Sequence, residues 1–443
     1  MPSQLLLLRE KITAGINHLD HTSARKTDRR ATRIKRPSGT IQHRMNGAKS
    51  WLEISERHLR HNYRALVRAA TAAGRSTSVL AVVKARAYGH GAGLCAHVLA
   101  SAEAAWLGVS DADEGGVVRC SLNTADTARN SPQTQPRILV MSGLLPNDAE
   151  KIVANRLTPV VWSPDQVDWL ARTAPAAVPF PIHLEIDTGM SRQGALPGAA
   201  LDRFLDRLST APALHLEGVL THFASAEISG SPLTNLQQER FEAALAQIAE
   251  RGLRLDWIHA GNSSTIDEGH SLPWLQQIAD RHHARSLVRS GIALYGYSLP
   301  LDGARSTLKP DLEPVLTWKS RILAVTELPA GASIGYNATF TTSRPMRLAL
   351  LPVGYSDGLR RELSGTDMHP GGWVMLHGQR APIVGRISMN LTTVEVSAVP
   401  TAAVGDEVVL LGQGITAEDH ARCAHTIPYE ILCGLKAKSQ LVP

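Results

Sequence analysis

Cysteine is scarce in this chain and forms no recognisable framework. Cys95, Cys120, Cys423 and Cys433 are its only cysteines. They include no Cys-x-x-Cys pair, which argues against a disulfide scaffold or zinc site and for a reducing compartment. Cys423 and His425 stand close together, but two potential ligands do not make a metal centre. No apolar run approaches the ~20 residues of a membrane span. Leu5–Leu8 is too short for a signal-peptide core and runs straight into Arg9-Glu10-Lys11. The body of the chain also lacks net charge. Residues 1–44 hold ten Lys/Arg and three Asp/Glu, a net of +7 against +6 for the whole chain, which leaves the rest at −1. A nucleic-acid or anionic-surface role would thus rest on this tail alone. The tail is polar and self-repelling through Arg25–Arg36, and it reads as a disordered extension ahead of Met45. Neither nucleic acid nor membrane is expected as a partner.

The most informative stretch is Ser78-Val79-Leu80-Ala81-Val82-Val83-Lys84, followed by Ala85-Arg86-Ala87-Tyr88-Gly89-His90-Gly91. The apolar run is short, β-branched and non-alternating, as in a buried parallel strand. A lysine at its carboxyl end sits where α/β folds place their chemistry. A bare strand-end lysine is more often a residue leaving the core; here a tyrosine and a glycine-bracketed histidine follow at once.

From Trp51 the chain alternates. Ser55-x-x-His58-Leu59 opens a helix with Leu59, Tyr63, Leu66 and Val67 on one face. Eight apolar runs follow, at 78–84, 106–110, 137–141, 158–162, 182–187, 216–222, 257–262 and 288–296. Amphipathic segments separate them, the clearest opening on a capping box at Thr234-Asn235-Leu236-Gln237 and closing at Gly252. Residues 121–135 read as a polar loop insertion. Eight strands alternating with helices predict an α/β fold, an N-terminal (β/α)8 barrel. After about residue 305, Pro310 and Pro314 mark a junction. Strand-like runs at 315–327, 346–353, 372–377, 382–396 and 406–412 predict a mainly β C-terminal domain. The expected division is 1–48 extension, 49–305 barrel and 306–443 β domain.

Nine motifs along this frame resemble those of alanine racemases. They are the lysine loop at 81–91, His183-Leu184-Glu185-Ile186-Asp187-Thr188-Gly189-Met190-Ser191-Arg192, Leu216–Phe223, Gly261-Asn262-Ser263, Val288–Gly296, Ile334–Thr339, Gly354–Gly358, Gly385–Met389 and Ile427–Glu430. They stand in the family's order from Trp51 to about Cys433. One would be weak; nine in order are specific. The resemblance implies pyridoxal 5'-phosphate as cofactor and a head-to-tail homodimer with shared active sites. It also implies a cytoplasmic enzyme that interconverts L- and D-alanine by a two-base mechanism, supplying D-alanine for peptidoglycan.

By resemblance, Lys84 bonds the cofactor and is one catalytic base, and Tyr336, from the partner subunit, is the other. Tyrosine ordinarily titrates near 10, so a relay of His222 and Arg289 is implied to stabilise its phenolate. Arg289 is chemically diagnostic. Arginine does not readily release a proton, so it can only donate a hydrogen bond to an unprotonated pyridine nitrogen. The carbanion is then less delocalised, which favours reprotonation at Cα over transamination. Ser263, Tyr88, Tyr429 and the backbone N–H groups of Gly291 and Ile292 are implied to hold the phosphate. His222 would stack on the ring. Arg192 and the Met389 backbone N–H would take the substrate carboxylate, Tyr355 would narrow the pocket, and Glu227, Arg361 and Arg386 fall among the charged residues at its mouth.

Three positions depart from the family pattern. Arg86 replaces the usual Asn of the lysine loop, and Asn390 replaces the usual Asp after Met389. Glu185 stands where many members carry a carbamylated lysine, and it is expected to point toward Arg192 and orient it. The departures keep open a racemase for serine, lysine or arginine. A decarboxylase of the same architecture would need a cysteine-plus-acid motif from the β domain, which Cys423 and Cys433 do not form. A non-catalytic cofactor carrier would lack the Tyr336 domain.

Overall fold

The computed structural model describes residues 48–124 and 135–443. The basic extension lies outside the described residues, as does most of the expected loop insertion at 121–135. Residues 121–124 finish a helix, Ala112–Thr124.

The first strand, β1 (Ser50–Ser55), precedes the helix Glu56–Thr71, whose Ser55 side chain accepts from the His58 N–H. That helix buries Leu59, Tyr63 and Leu66. The next eight strands are β2 (Ser78–Val82), β3 (Trp106–Val109), β4 (Arg137–Val140), β5 (Thr158–Val161), β6 (Phe180–Glu185), β7 (Leu214–Leu220), β8 (Trp257–His259) and β9 (Arg285–Ser290). They pair in parallel in that order, and β9 returns to β2 to close the barrel. Their residues are almost all buried, which is why the runs read as continuous rather than alternating.

The second half holds β10 (Leu316–Arg321), β11 (Ala324–Leu328), β12 (Ser333–Ile334), β13 (Phe340–Thr341), β14 (Met346–Leu351), β15 (Trp373–Leu376), β16 (Gln379–Pro382), β17 (Thr392–Glu395), β18 (Glu407–Leu411) and β19 (Lys438–Val442). A six-stranded sheet runs β16-β15-β18-β10-β1-β19, and a three-stranded one runs β11-β14-β17. The mainly β character expected after residue 305 is present.

Two sequence expectations need correction. The strand β1 pairs with β10 and β19, so it belongs to the β sheet, not to the barrel that a boundary at residue 49 assigns it to. Leu52 and Ile54 are fully buried while Glu53 and Ser55 are half-buried, as in a strand with two unlike faces. The helix expected to start at Thr234 starts at Pro232, after Ser231. Thr234 is inside it and bonds the Ser225 carbonyl, and Gln237 turns inward, donating to Thr188 and the His222 carbonyl. One apolar core is continuous from the barrel into the six-stranded sheet. A small second cluster of Ile334, Met346, Leu348 and Val384 lies beside the β12–β13 hairpin, whose loop carries Tyr336.

Candidate active site

Lys84 follows β2 at the carboxyl end of the barrel, after Val83 has closed the ladder with an N–H bond to the Gly108 carbonyl of 2.7 Å. The next four residues, Ala85, Arg86, Ala87 and Tyr88, all have φ between +51° and +56°. For residues with a Cβ this left-handed turn costs roughly 1–2 kcal/mol each. The surroundings offset that cost. The Ala85 N–H bonds Glu114 Oε1 at 2.7 Å, the Arg86 guanidinium donates to the Leu435 carbonyl, and His90 Nδ1–H donates to the Tyr88 carbonyl at 2.9 Å. Gly89, at φ +83°, lies so close to the helix Pro428–Cys433 that a Cβ there would stand 2.1 Å from the Leu432 carbonyl oxygen.

The turn aims Lys84 and Tyr88 into one cavity of about 360 Å³. Arg192, His222, Ser263, Arg289, Gly291, Ile292 and Tyr429 also line it. The barrel-side residues singled out in the sequence are therefore brought together. At one end, Ser263 Oγ accepts the Gly291 N–H at 3.0 Å and stands 3.2 Å from Ser290 Oγ. Gly291 packs against Tyr88 so tightly that a Cβ would lie 2.2 Å from its hydroxyl. This is a cluster of hydroxyl and N–H donors without a carboxylate, which suits a phosphate.

At the other end Arg289 is buried. Its Nη2 donates to the Thr221 carbonyl at 2.7 Å and meets His222 Nδ1 at 3.2 Å. Burial pulls the guanidinium down to about 10, partly opposed by Glu185, so it stays cationic at neutral pH. His222 is held down to about 3 by burial and by the charges of Arg289, Arg192 and Lys84, so its ring is neutral and accepts from Arg289. Burial, then Arg192, lowers Lys84 from the usual amine range, with Glu114 opposing; that direction favours a nucleophilic amine. Tyr429 is pushed up to about 12 by burial and Glu227, so it is a hydroxyl donor.

Glu185 departs from expectation. It is buried, but its Oε2 accepts from Gln193 Nε2 at 2.5 Å. The same amide nitrogen donates to the Met141 carbonyl at 2.8 Å. The loop after β6 folds back through a bridge from Ile186 to Ala195, which lays Gln193 over Glu185 and leaves Arg192 exposed at the rim. Burial raises the Glu185 carboxyl, against the Gln193 hydrogen bond and the charges of Arg289 and Arg192. It is therefore not the plain fixed anion bound to Arg192 that the motif suggests.

Tyr336, Tyr355 and Met389 are 66%, 44% and 57% exposed and are not among the residues lining this cavity. Tyr336, Tyr355 and Arg361 line a second hollow of about 670 Å³ with Glu430 and Lys436. The helix Pro428–Cys433 is the partition: Tyr429 faces the first cavity and Glu430 the second. Asn390 Nδ2 donates to Ser356 Oγ at 2.5 Å, and the Met389 carbonyl accepts from Ser356.

Sequence reasoning missed a polar column inside the barrel. Arg137 chelates Glu217; Glu217 Oε2 meets His183 Nε2 at 3.1 Å; His183 Nδ1 meets His259 Nε2 at 2.9 Å; His259 Nδ1 meets Arg289 Nη1 at 3.4 Å. The available signal was His183, Glu217 and His259 interrupting buried apolar strands. A polar residue on a fully buried strand needs a partner.

Comparisons with known proteins agree over nearly the whole described chain. Residues 54–299 match the model "Alanine racemase, N-terminal domain", and residues 315–442 match "Alanine racemase, C-terminal domain". A curated alanine racemase of Syntrophobacter fumaroxidans is 37% identical over 393 residues, covering 88% of this chain and 96% of that one. One from Symbiobacterium thermophilum is 38% identical over 394 residues, covering 88% and 95%. Among solved structures, the alanine racemase of Streptomyces coelicolor superposes with a TM-score of 0.76 at 32% identity, covering 89% and 98%. That of Bartonella henselae, with covalently bound pyridoxal phosphate, gives 0.72 at 28%, covering 89% and 100%.

Proposed function

The chain belongs to the alanine racemase family, whose members are pyridoxal-phosphate-dependent isomerases, and from that premise we propose roles for its residues in interconverting L- and D-alanine. When bound, pyridoxal phosphate supplies an aldehyde that bonds an amine and a ring that draws electrons from the substrate Cα. Lys84 would hold that aldehyde, and its amine, once the substrate amine has taken its place, would carry the proton on one face of Cα. Tyr336 moves it on the other face. Arg289 donates a hydrogen bond to the ring nitrogen and keeps it unprotonated. Ser263, Tyr88, Tyr429 and the N–H groups of Gly291 and Ile292 bind the phosphate, and His222 stacks on the ring. Arg192, at the rim, pairs the substrate carboxylate, with the Met389 N–H and Tyr355 closing the pocket.

The observation that carries this reading is the separation of the two bases. Lys84 lies in the barrel cavity, whereas Tyr336 stands exposed beyond the helix Pro428–Cys433. Within one protomer the two-base site is incomplete. A head-to-tail homodimer, in which each hollow bearing Tyr336 caps the partner's cavity, completes both sites at once. We assign the protein to the cytoplasm and to supplying D-alanine for peptidoglycan. No helix among the described residues is long and apolar enough to cross a membrane, and the scarce cysteines are unpaired. Chiral chromatography of L-alanine incubated with purified protein and cofactor should show D-alanine approaching an equal mixture. No D-alanine would refute the reading.

A further inference from the structure

The geometry points to Glu217, at the opposite end of the barrel interior from the cofactor cavity, as a positioning residue for Arg289: through His183 and His259 it fixes a proton arrangement that turns a ring lone pair toward the guanidinium. The inference rests on the reading of Arg289 as the partner of the cofactor ring.

The argument is a count of hydrogens along three links. Arg289 can only donate, and an ionised glutamate can only accept. Between them stand two imidazoles, each fully buried, in a chain with contacts of 3.1, 2.9 and 3.4 Å. Glu217 accepts, so His183 must carry a hydrogen on Nε2. His259 must accept from Arg289, so its Nδ1 is bare and its hydrogen is on Nε2. That hydrogen faces His183 Nδ1, which is then bare. Every link is satisfied by this one assignment. Move a hydrogen to His259 Nδ1 and two donors face each other at Arg289. Add a second hydrogen to His183 and it meets the Nε2 hydrogen of His259. Both rings are therefore neutral, and burial lowers both from the usual imidazole range.

The direction of the chain is set at the Glu217 end. Arg137 grips both carboxylate oxygens and also reaches Thr158 Oγ1 at 3.0 Å. Its guanidinium lies 4.2 Å from the centre of the Trp106 ring, and Trp106 packs on His183 at 5.4 Å. The carboxylate is thus held ionised and immobile. Its effect at the other end is geometric. With His259 accepting at Nη1, and Thr221 and His222 accepting at Nη2, the guanidinium plane is fixed from three directions. Its remaining N–H groups are left for the cavity.

Neutron diffraction from crystals of the deuterated holoenzyme at neutral pD reads the arrangement directly. Deuterium is expected on Nε2 of both His183 and His259 and on neither Nδ1. Deuterium on His259 Nδ1, or on both nitrogens of His183, overturns the assignment. Glu217→Gln reads the role. It keeps the volume but leaves one acceptor oxygen for both Arg137 and His183, and an N–H2 group that faces one of them. The expected result is a kcat lower by roughly ten- to a hundredfold, a KM for alanine within about twofold, and a displaced cofactor absorbance band. Wild-type kcat with an undisplaced band overturns the positioning role. Should Glu217→Gln fail to fold, His259→Gln interrupts the same column beside Arg289 and is held to the same three readings. Absence of racemase activity in the wild type would sink the assigned function, while the deuterium positions would still test the column.

Discussion

Replacing Arg137 by Met gives a prediction whose size can be worked from the structure. Glu217 is buried, which by itself disfavours its charge, but hydrogen bonds from His183 and Arg137 and the Arg137 charge hold its carboxyl down to about 2. Against an ordinary value of 4.5, that depression corresponds to about 3 kcal/mol. For a depressed acid, this stability is fully present above pH 4.5 and is lost as pH falls toward 2. Arg137→Met removes the main counter-charge and the cation–π contact with Trp106. Breaking a buried pair from one side costs about 3–5 kcal/mol, and the cation–π contact about 1. Arg137 is 37% exposed, so the low end applies, and the total at pH 7 is about 4 kcal/mol. With about 2.1 cal/mol/K of unfolding entropy per residue and roughly 400 residues, Tm should fall by about 5 °C. In the variant, burial pushes Glu217 up, so it takes a proton as pH falls and the uncompensated charge disappears. The deficit should therefore shrink between pH 7 and pH 5, where the wild type changes little. Differential scanning fluorimetry at both pH values measures it. A deficit that stays constant with pH would mean that Arg137 acts by packing alone, and one below about 1 kcal/mol would mean that the pair does not hold Glu217.

Mixing inactive Lys84→Ala with inactive Tyr336→Phe should restore activity, because one site of each hybrid dimer keeps both bases; verified hybrids without activity would place both bases in one chain. Gly291→Ala drives a methyl into the Tyr88 hydroxyl and should weaken pyridoxal phosphate binding at least tenfold with little change in fold; fluorescence titration of the apo-protein checks this, and wild-type affinity would refute the close approach. Glu185→Gln keeps a partner for Gln193 and removes a carboxyl that burial makes costly to ionise. Because a raised acid loses stability as pH climbs from 4.5 to its shifted value, the variant should be at least as stable as wild type at pH 7, with the gap closing below pH 4.5. Lower stability at pH 7 would show that the ionised form is needed. A chain begun at Met45 should match the full chain in kcat and Tm, and a marked loss of either would give the basic tail a structural role.

The barrel was legible because its strands are buried on both faces and appear as short apolar runs ending in chemistry: Lys84 after β2, His222 after β7, Arg289 near the end of β9. The strand β1 was misassigned because sheet membership is fixed by partners at residues 316–320 and 438–442, far along the chain. Thr234 imitates a helix cap, but Pro232, which fits the first turn, starts the helix earlier. Glu185 was read from the His183–Arg192 motif, and the motif does mark a position that faces inward, where Glu185 is buried. The motif cannot give its partner, since Gln193 arrives over it by a loop that folds back. The polar column escaped notice because each member is a single interruption in a different strand, and only barrel closure stacks them.

The left-handed turn after Lys84 also orders events in time. Two of its supports, the Leu435 carbonyl that receives Arg86 and the Leu432 carbonyl against Gly89, lie about 350 residues downstream. At ribosomal speeds of roughly 5–20 residues per second, the lysine is made some 20–70 s before those props exist. Until they are made, only the nearby Glu114 and His90 contacts can brace the turn that carries Lys84. The turn near the start of the chain thus depends on its end: a stop codon at position 432 would remove both downstream supports of the lysine loop while leaving all eight barrel strands complete.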